Sequence, residues 1–328
     1  TELGINFRHD AVKDVELSRT IGRQAISERK AFGDIDEFNF SFYLDEKIKL
    51  GQRFILNPGL RFDQFQFLYV DKLQPTYDRK IATASLASPK LNAYFTINDR
   101  LQLFANSGYG FHSNDTRVAV AQNGREILPR AFGFEGGATV KVLPRLLLTL
   151  GAWRLHLDQE FVYVGDEAVV EPSGQTTRQG FDLAARWQLS SWLFADADLN
   201  YSLARTDDTP EGENYIPLAA AWTSIGGLSF DFKNGLNGSL RYRYLGDRPA
   251  NEDNSVVAKG YFLTDAVLNF TRSRFEIGIT VQNLLNRNWN EAQFDTESRL
   301  FNELEPVSEI HFTPGTPLNV MGHVSLFF

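Results

Sequence analysis

Five histidines, one closely spaced pair of aspartates, two groups of loop acids and a set of arginines are the side chains in this sequence that could bind or transform a ligand. His112 and His311 fall in long polar stretches, His156 and His323 within alternating stretches, and His9 at the end of the first such stretch. No two have a spacing that would bring them to one metal ion, so they read as solvated or structural. Asp196 and Asp198 stand two residues apart, which puts both carboxylates on one face of an extended strand and suggests paired acid–base work. Charge lining a hydrated channel accounts for the same pair without any chemistry. Asp207, Asp208, Glu211 and Glu213, and further on Asp247, Glu252 and Asp253, carry the oxygens that calcium prefers, and equally the charge of a solvated loop.

Arg241 and Arg243 on one strand face, with Arg117 and Arg125 on a loop, could draw in an anionic ligand through their guanidinium forks. Trp289 and Phe294 could contact such a ligand or pin the loop that carries them. No glycine-rich phosphate loop, nucleophile elbow or zinc-protease helix occurs in the sequence, so no catalytic residue, cofactor or resident metal is expected.

The elements that position these residues are strands of alternating character. The chain ends on a stretch in which Leu318, Val320, Gly322, Val324, Leu326 and Phe328 share one face while Asn319, Met321, His323 and Ser325 share the other. The alternation recurs from Leu3-Gly4-Ile5-Asn6-Phe7 onward. It gives about fourteen strands of roughly ten residues, the length that crosses a bilayer at a tilt. Tight turns at Asn98-Asp99-Arg100, Leu143-Pro144-Arg145, Ser190-Ser191, Lys233-Asn234-Gly235 and Thr271-Arg272-Ser273-Arg274 close one end, and long polar loops close the other. A soluble sandwich has no reason to sort its loops by length, whereas an outer-membrane barrel does. Polar groups share faces in the same way: Asp182, Arg186 and Gln188; Asp196, Asp198, Asn200 and Ser202; Asn237, Ser239, Arg241 and Arg243. So many ionisable groups need water behind them, and lipid on the opposite, apolar face. Trp187, Trp192, Trp222, Tyr242 and Tyr244 suit the girdles at the membrane surfaces.

Two stretches resist the pattern. His9 to Asp34 is rich in charge and lacks strand periodicity, so a long loop is expected there. Leu146-Leu147-Leu148 is apolar on both faces, which suggests a bulge or a protected inner surface before the strand runs on to about Val164.

Composition agrees with a membrane barrel and narrows the rest. With 43% hydrophobic residues and a mean hydropathy of -0.28 the chain resembles a soluble protein, but alternating strands turn only half their residues to lipid. No run of about eighteen apolar residues occurs, which excludes a membrane helix. A net charge of -8 argues against nucleic acid as a partner, and the absence of cysteine against a disulfide scaffold or thiolate metal site.

Gln282-Asn283-Leu284-Leu285-Asn286-Arg287, then Trp289-Asn290-Glu291-Ala292-Gln293-Phe294, then Phe312-Thr313-Pro314-Gly315-Thr316-Pro317 and the terminal Phe328 resemble the C-terminal end of TonB-dependent outer-membrane receptors. Leu103-Phe104-Ala105-Asn106-Ser107-Gly108-Tyr109-Gly110-Phe111-His112-Ser113-Asn114-Asp115 is similar to another segment of their barrels, and the resemblance covers nearly the whole chain. It implies an all-β fold, an antiparallel transmembrane β-barrel with about fourteen strands present, part of a plugged barrel of about twenty-two. Residues 1–328 would then be the C-terminal part of the barrel region, with an N-terminal plug and first strands lying outside them. The partners implied are outer-membrane lipid, an extracellular small-molecule ligand (a siderophore, a cobalamin-like compound or an oligosaccharide) and a TonB complex acting through the absent N-terminal region. The activity implied is energy-coupled uptake, not enzymatic turnover. Two other readings stand beside it: a complete fourteen-stranded passive channel whose first and last strands pair, and an outer-membrane enzyme with a convergent cluster at the rim.

Overall fold

The computed structural model describes residues 1–77, 79–113, 116–121, 128–159, 161–164, 169–172 and 174–328. Fourteen strands lie in one sheet order, each beside its predecessor. They are β1 Glu2–Ile21, β2 Ala25–Asp45, β3 Phe54–Asp71, β4 Arg79–Asn98, β5 Leu101–Phe111, β6 Arg130–Leu143 and β7 Leu146–Leu157, followed by β8 Thr176–Gln188, β9 Leu193–Thr206, β10 Trp222–Asp231, β11 Leu236–Leu245, β12 Tyr261–Thr271, β13 Phe275–Gln282 and β14 Asn319–Leu326. A short segment, Ile48–Leu50, pairs beside the start of β3. Every strand read from alternation is present, because a period of two is strongly marked wherever one face meets water and the other does not.

From β4 onward loop lengths are sorted as expected, whereas β1 and β2 are joined by a brief turn, residues 22–24. Residues 99–100, 144–145, 189–192, 232–235 and 272–274 make brief turns at one end. The longer connections, from Phe111 to Arg130, from Leu157 to Thr176, and over residues 207–221, 246–260 and 283–318, belong to the other, the loop end. The turns are built by side chains that cap their own backbone: Asn98 Oδ1 accepts from Arg100 N at 2.8 Å, Ser190 Oγ from Leu193 N at 3.1 Å, and Asn234 Oδ1 from Leu236 N at 3.1 Å. Gly235 follows with φ +86°, a conformation that an L side chain would strain.

Three sequence expectations are corrected. His9 to Asp34 is not a loop but the outer half of a long hairpin, with β1 and β2 paired from His9↔Phe38 out to Ile21↔Ala25. Its register shifts after Val12, Leu17 and Arg19, and past the membrane both faces meet water, so neither needs to be apolar and the alternation disappears. Leu146, Leu147 and Leu148 sit opposite Trp187, Arg186 and Ala185 in unbroken register, without a bulge. Strand β7 stops at Leu157, and Phe161–Val164 pairs instead with Val169–Pro172 as a separate ribbon.

The contacts divide into two compact units, residues 1–94 with 106–133, and residues 95–105 with 134–328. In the first, the apolar faces of β1 and β2 coincide, with Leu3, Ile5 and Phe7 opposite Leu44, Phe42 and Phe40. Ile5 is 73% exposed, so no protein layer covers that face. The polar face of β3 carries Arg61 and Asp63 and then, on the same side, Phe65, Phe67 and Tyr69. A helix α1, Thr116–Ala121, covers these rings, and Phe67 and Ala119 are fully buried with Val120, Leu128, Ala82 and Leu86 around them. Burying a Phe side chain contributes about 1.5–3 kcal/mol.

In the second unit β7 to β14 form a continuous antiparallel ladder. Leu228, Leu240, Leu268, Ile277 and Val324 are exposed on its apolar face, Val324 at 68%. Soluble proteins do not leave a contiguous face of this kind bare, and lipid is the cover that such a ladder requires. Two further ribbons, Arg248–Pro249 with Val257–Ala258 and Asn290–Ser298 with Val307–Pro314, stand within its long loops.

Candidate ligand-binding face

The polar face of the second unit is a lattice of paired charges. Arg186 and Asp196 are direct cross-strand partners, and so are Asp182 and Asn200. Arg186 turns diagonally to Asp198, with Nη2 at 2.8 Å from Oδ1 and 2.9 Å from Oδ2. Arg241 reaches over β10 to grip both oxygens of Asp196, with Nη2 to Oδ2 at 2.8 Å. The path exists because Gly227 lies between them in the register, where a β-carbon would meet the Leu240 carbonyl and the Arg241 side chain. Arg241, expected as a ligand-facing arginine, is therefore bound to an aspartate, and Asp196 and Asp198 serve separate arginines rather than one reaction. In the first unit the polar face is held in the same way: Arg61 donates to both oxygens of the fully buried Asp63 at 2.8 Å and to Ser41 Oγ at 2.8 Å.

At the loop end of the second unit the residues of the C-terminal motif come together. Asn283 adopts φ +49° and is buried, and its backbone N donates to Asp265 Oδ1 at 2.8 Å. Its side-chain amide donates to the carbonyls of Arg287 at 2.8 Å and Thr316 at 3.1 Å and accepts from Arg287 N at 2.8 Å. Leu284 N donates to Thr264 O at 2.7 Å, Gly315 N to Trp289 O at 2.8 Å, and Trp289 Nε1 to Thr316 O at 3.0 Å. The Trp289 indole lies against Gly315, where a β-carbon could not fit, and meets Tyr261 edge-on with centroids 4.8 Å apart. Asparagine tolerates the left-handed backbone and carries donor and acceptor on one short arm, which is why it suits this knot.

The motif residues thus stitch the two ends of the β13–β14 loop to the sheet. Pro314 closes the ribbon opposite Asn290, and Phe328 stands exposed after β14. Trp289 pins the loop, Arg243 lies with its guanidinium 5.3 Å from the Trp289 ring centroid, and Phe294, 55% exposed, faces His311 across the ribbon. Arg117 lies half-buried on α1 and is partnered there, while Arg125 lies outside the described residues.

The histidines stay apart. His9 stacks on Phe38 at 4.1 Å and faces Asp36, His156 lies 3.3 Å from Asp207 and 3.2 Å from Thr177 Oγ1, His311 lies 3.0 Å from Ser298 Oγ, and His323 3.3 Å from Glu276. Among the described residues no group of three or more His, Cys, Asp or Glu could hold a metal ion. Among the loop acids, Asp207 accepts from Thr177 Oγ1 at 2.7 Å, Asp208 from Gln175 N at 2.9 Å, and Asp253 from Ser255 N at 3.0 Å and Oγ at 2.7 Å. The Gly260 amide, helped by the Lys259 ammonium, holds the Asp247 carboxyl below the usual carboxylate range, and the Ser255 hydroxyl and amide do the same for Asp253. Sequence reading missed the apolar patch under α1, the Gln293 side chain that clamps Lys259 N and O, and the burial of Arg248. Phe65-Gln66-Phe67-Leu68-Tyr69 carried a usable signal, since its aromatics fall on the face that Arg61 and Asp63 mark as polar.

Known proteins give the same reading. The profile described as "TonB dependent receptor-like, beta-barrel" matches residues 2–284, whereas no curated protein matches the sequence. The unliganded ferric citrate transporter FecA superposes with a TM-score of 0.78 at 16% identity, over 99% of this chain and 51% of its own. The ferric yersiniabactin uptake receptor FyuA from Yersinia pestis gives 0.73 at 15%, over 99% and 50%, and the FrpB iron transporter from Neisseria meningitidis (F3-3 variant) 0.67 at 18%, over 98% and 51%. The chain spans about half the length of these solved receptors. By the extent of that profile match, by its loop sorting and by its uncovered apolar face, the chain belongs to the TonB-dependent receptor-like β-barrel family of the outer membrane.

Proposed function

We propose that residues 1–328 form barrel wall and loops of an outer-membrane receptor that takes up a scarce solute by energy-coupled transport. The observation that carries this reading is the sorted architecture: long, internally braced loops at one end, brief turns at the other, and a hydrated charged face between them. On this reading the loop end faces outward and meets the ligand. An iron chelate is favoured over a cobalamin-like compound or an oligosaccharide, because the three solved relatives above are named for ferric citrate, ferric yersiniabactin and iron. Arg117, Arg125, Arg243 and Phe294 are the contact residues proposed from the sequence; Trp289 and Arg241 act through the loop and wall that they hold. A wide barrel must be blocked by something that moves only when driven, so a plug and a TonB contact are proposed as parts of the working protein. As a member of a receptor family the chain is not an enzyme.

Uptake of a radiolabelled ferric chelate by iron-limited cells carrying the whole protein tests this. Energy-coupled transport is expected to stop when a protonophore collapses the inner-membrane gradient. Uptake that continues unchanged would contradict it and favour a passive channel.

A further inference from the structure

A groove of about 370 Å³ interrupts the apolar face of the second unit between β10 and β12. Leu228, Leu240, Tyr242, Phe262 and Thr264 line it, and the register puts all five on the face that also carries Leu268 and that lipid covers. The backbone makes room for it. Gly226 stands opposite Tyr242 without a side chain, and the Tyr242 ring leans over it, so that a β-carbon there would lie 2.9 Å from Cε1. The Phe262 ring stacks on that of Tyr242 with centroids 5.6 Å apart.

The same face carries a pair of hydroxyls whose proton order is fixed. Ser224 Oγ donates to the Asp198 carbonyl at 2.8 Å and lies 2.9 Å from the Tyr242 hydroxyl. A serine has one proton to give, so the tyrosine must donate to Ser224. The relay ends on the Tyr242 oxygen, whose lone pairs meet no donor among the described residues. An acceptor turned toward hydrocarbon is matched only by a group that brings its own proton.

Depth narrows what that group is. Ser224 lies two residues along β10 from Trp222, which with Tyr244 marks the membrane surface at the loop end. At a rise of about 3.3 Å per residue and a tilt near 45° the hydroxyls sit roughly 5 Å inside that surface. This is the level of the chain linkages, below the headgroup phosphates and amines. An ester linkage there offers only acceptors, whereas an amide offers N–H and a hydroxylated chain O–H. We propose that the groove binds one acyl chain of an outer-leaflet lipid whose chains are amide-linked and hydroxylated, with an N–H or O–H of that chain donating to the Tyr242 oxygen. The groove is continuous with the lipid-covered face, so a lipid chain is its occupant. The choice of leaflet rests on the outward orientation of the loop end given above, but the preference for a proton-bearing chain does not.

The test is native mass spectrometry of the whole receptor in detergent, with two synthetic lipids that share one phosphate headgroup and so one charge. The first carries N-linked 3-hydroxymyristoyl chains and the second ester-linked myristoyl chains. The parent is expected to retain one molecule of the first roughly threefold to tenfold more than of the second, the range of one hydrogen bond. Y242F keeps the ring and loses the acceptor, and should retain both lipids equally. S224A frees the tyrosine proton to meet an ester carbonyl, and should raise retention of the second lipid toward that of the first. L228W fills the groove and should abolish the preference. A parent that does not discriminate, or a full preference that survives in Y242F, S224A or L228W, would overturn the assignment. Binding is read without transport, so energy-coupled uptake stands or falls separately, by the protonophore experiment.

Discussion

Each of the two units holds its own loop in a different way. In the unit of residues 1–94 and 106–133, the polar face of β3 turns aromatic at Phe65, Phe67 and Tyr69, and α1 closes over it as a small dry core. In the unit of residues 95–105 and 134–328, the β13–β14 loop is tied down by Asn283, Trp289 and the carbonyls they hold, with little apolar burial. Area burial is non-directional and tolerates similar shapes, whereas a hydrogen-bonded knot demands particular atoms at particular distances. The first seal should therefore respond to lost volume and the second to lost donors.

The largest break is expected from Phe67→Ala. Emptying a fully buried ring site costs about 3–5 kcal/mol, enough to free α1, so limited proteolysis should cut between Phe111 and Arg130 while the β13–β14 loop stays protected. Phe67→Leu, which keeps most of the volume, should leave the cleavage pattern near that of the parent. Asn283→Ala should cost about 2–3 kcal/mol through the loss of three part-buried hydrogen bonds, read as faster hydrogen exchange in residues 284–318 with no change around α1. Gly227→Val places a side chain in the path between Arg241 and Asp196 and should cost about 1–3 kcal/mol. Much of that is backbone crowding against the Leu240 carbonyl, because the ion pair is partly exposed and worth less than a buried one. Asp196→Asn in the Gly227→Val background should then add almost nothing.

The smallest effect is a pH dependence in the β11–β12 loop. The Asp247 carboxyl lies lower when folded than its ordinary 3.8. Its contribution is complete above that value and is lost as pH falls through the lower, folded value. Exchange at Gly260 N should rise in that acid range, and Asp247→Asn should remove the pH dependence.

The strands were legible because water on one face and lipid on the other impose a period of two, and the turns because Asn98, Ser190 and Asn234 carry turn chemistry. Legibility ended where both faces meet the same solvent. The outer half of the β1–β2 hairpin has charge on both sides, with Asp14 at φ +55° held by Asp34 at 2.9 Å and Lys72 at 2.6 Å, so its pairing left no pattern. The candidate site was only half legible. The C-terminal motif marked the right residues, but their role as a knot needs Thr316 and Asp265 brought next to Asn283, which no local pattern announces. The burial of Arg248 was not legible either, because the loop that carries it is tied by hydrogen bonds to residues distant in sequence, Leu218, Tyr215 and Gln293.

Lipid covers the apolar face of these strands and water the polar one. The chain has no cysteine, so single cysteines can be placed in turn along β11, from Leu236→Cys to Tyr244→Cys, spin-labelled in bilayers and compared for accessibility to oxygen and to a water-soluble nickel complex. The expected result is strict alternation, with positions 236, 238, 240, 242 and 244 in the oxygen-rich lipid and 237, 239, 241 and 243 in water. Equal access to the nickel complex on both faces, or to neither probe on the apolar one, would contradict it.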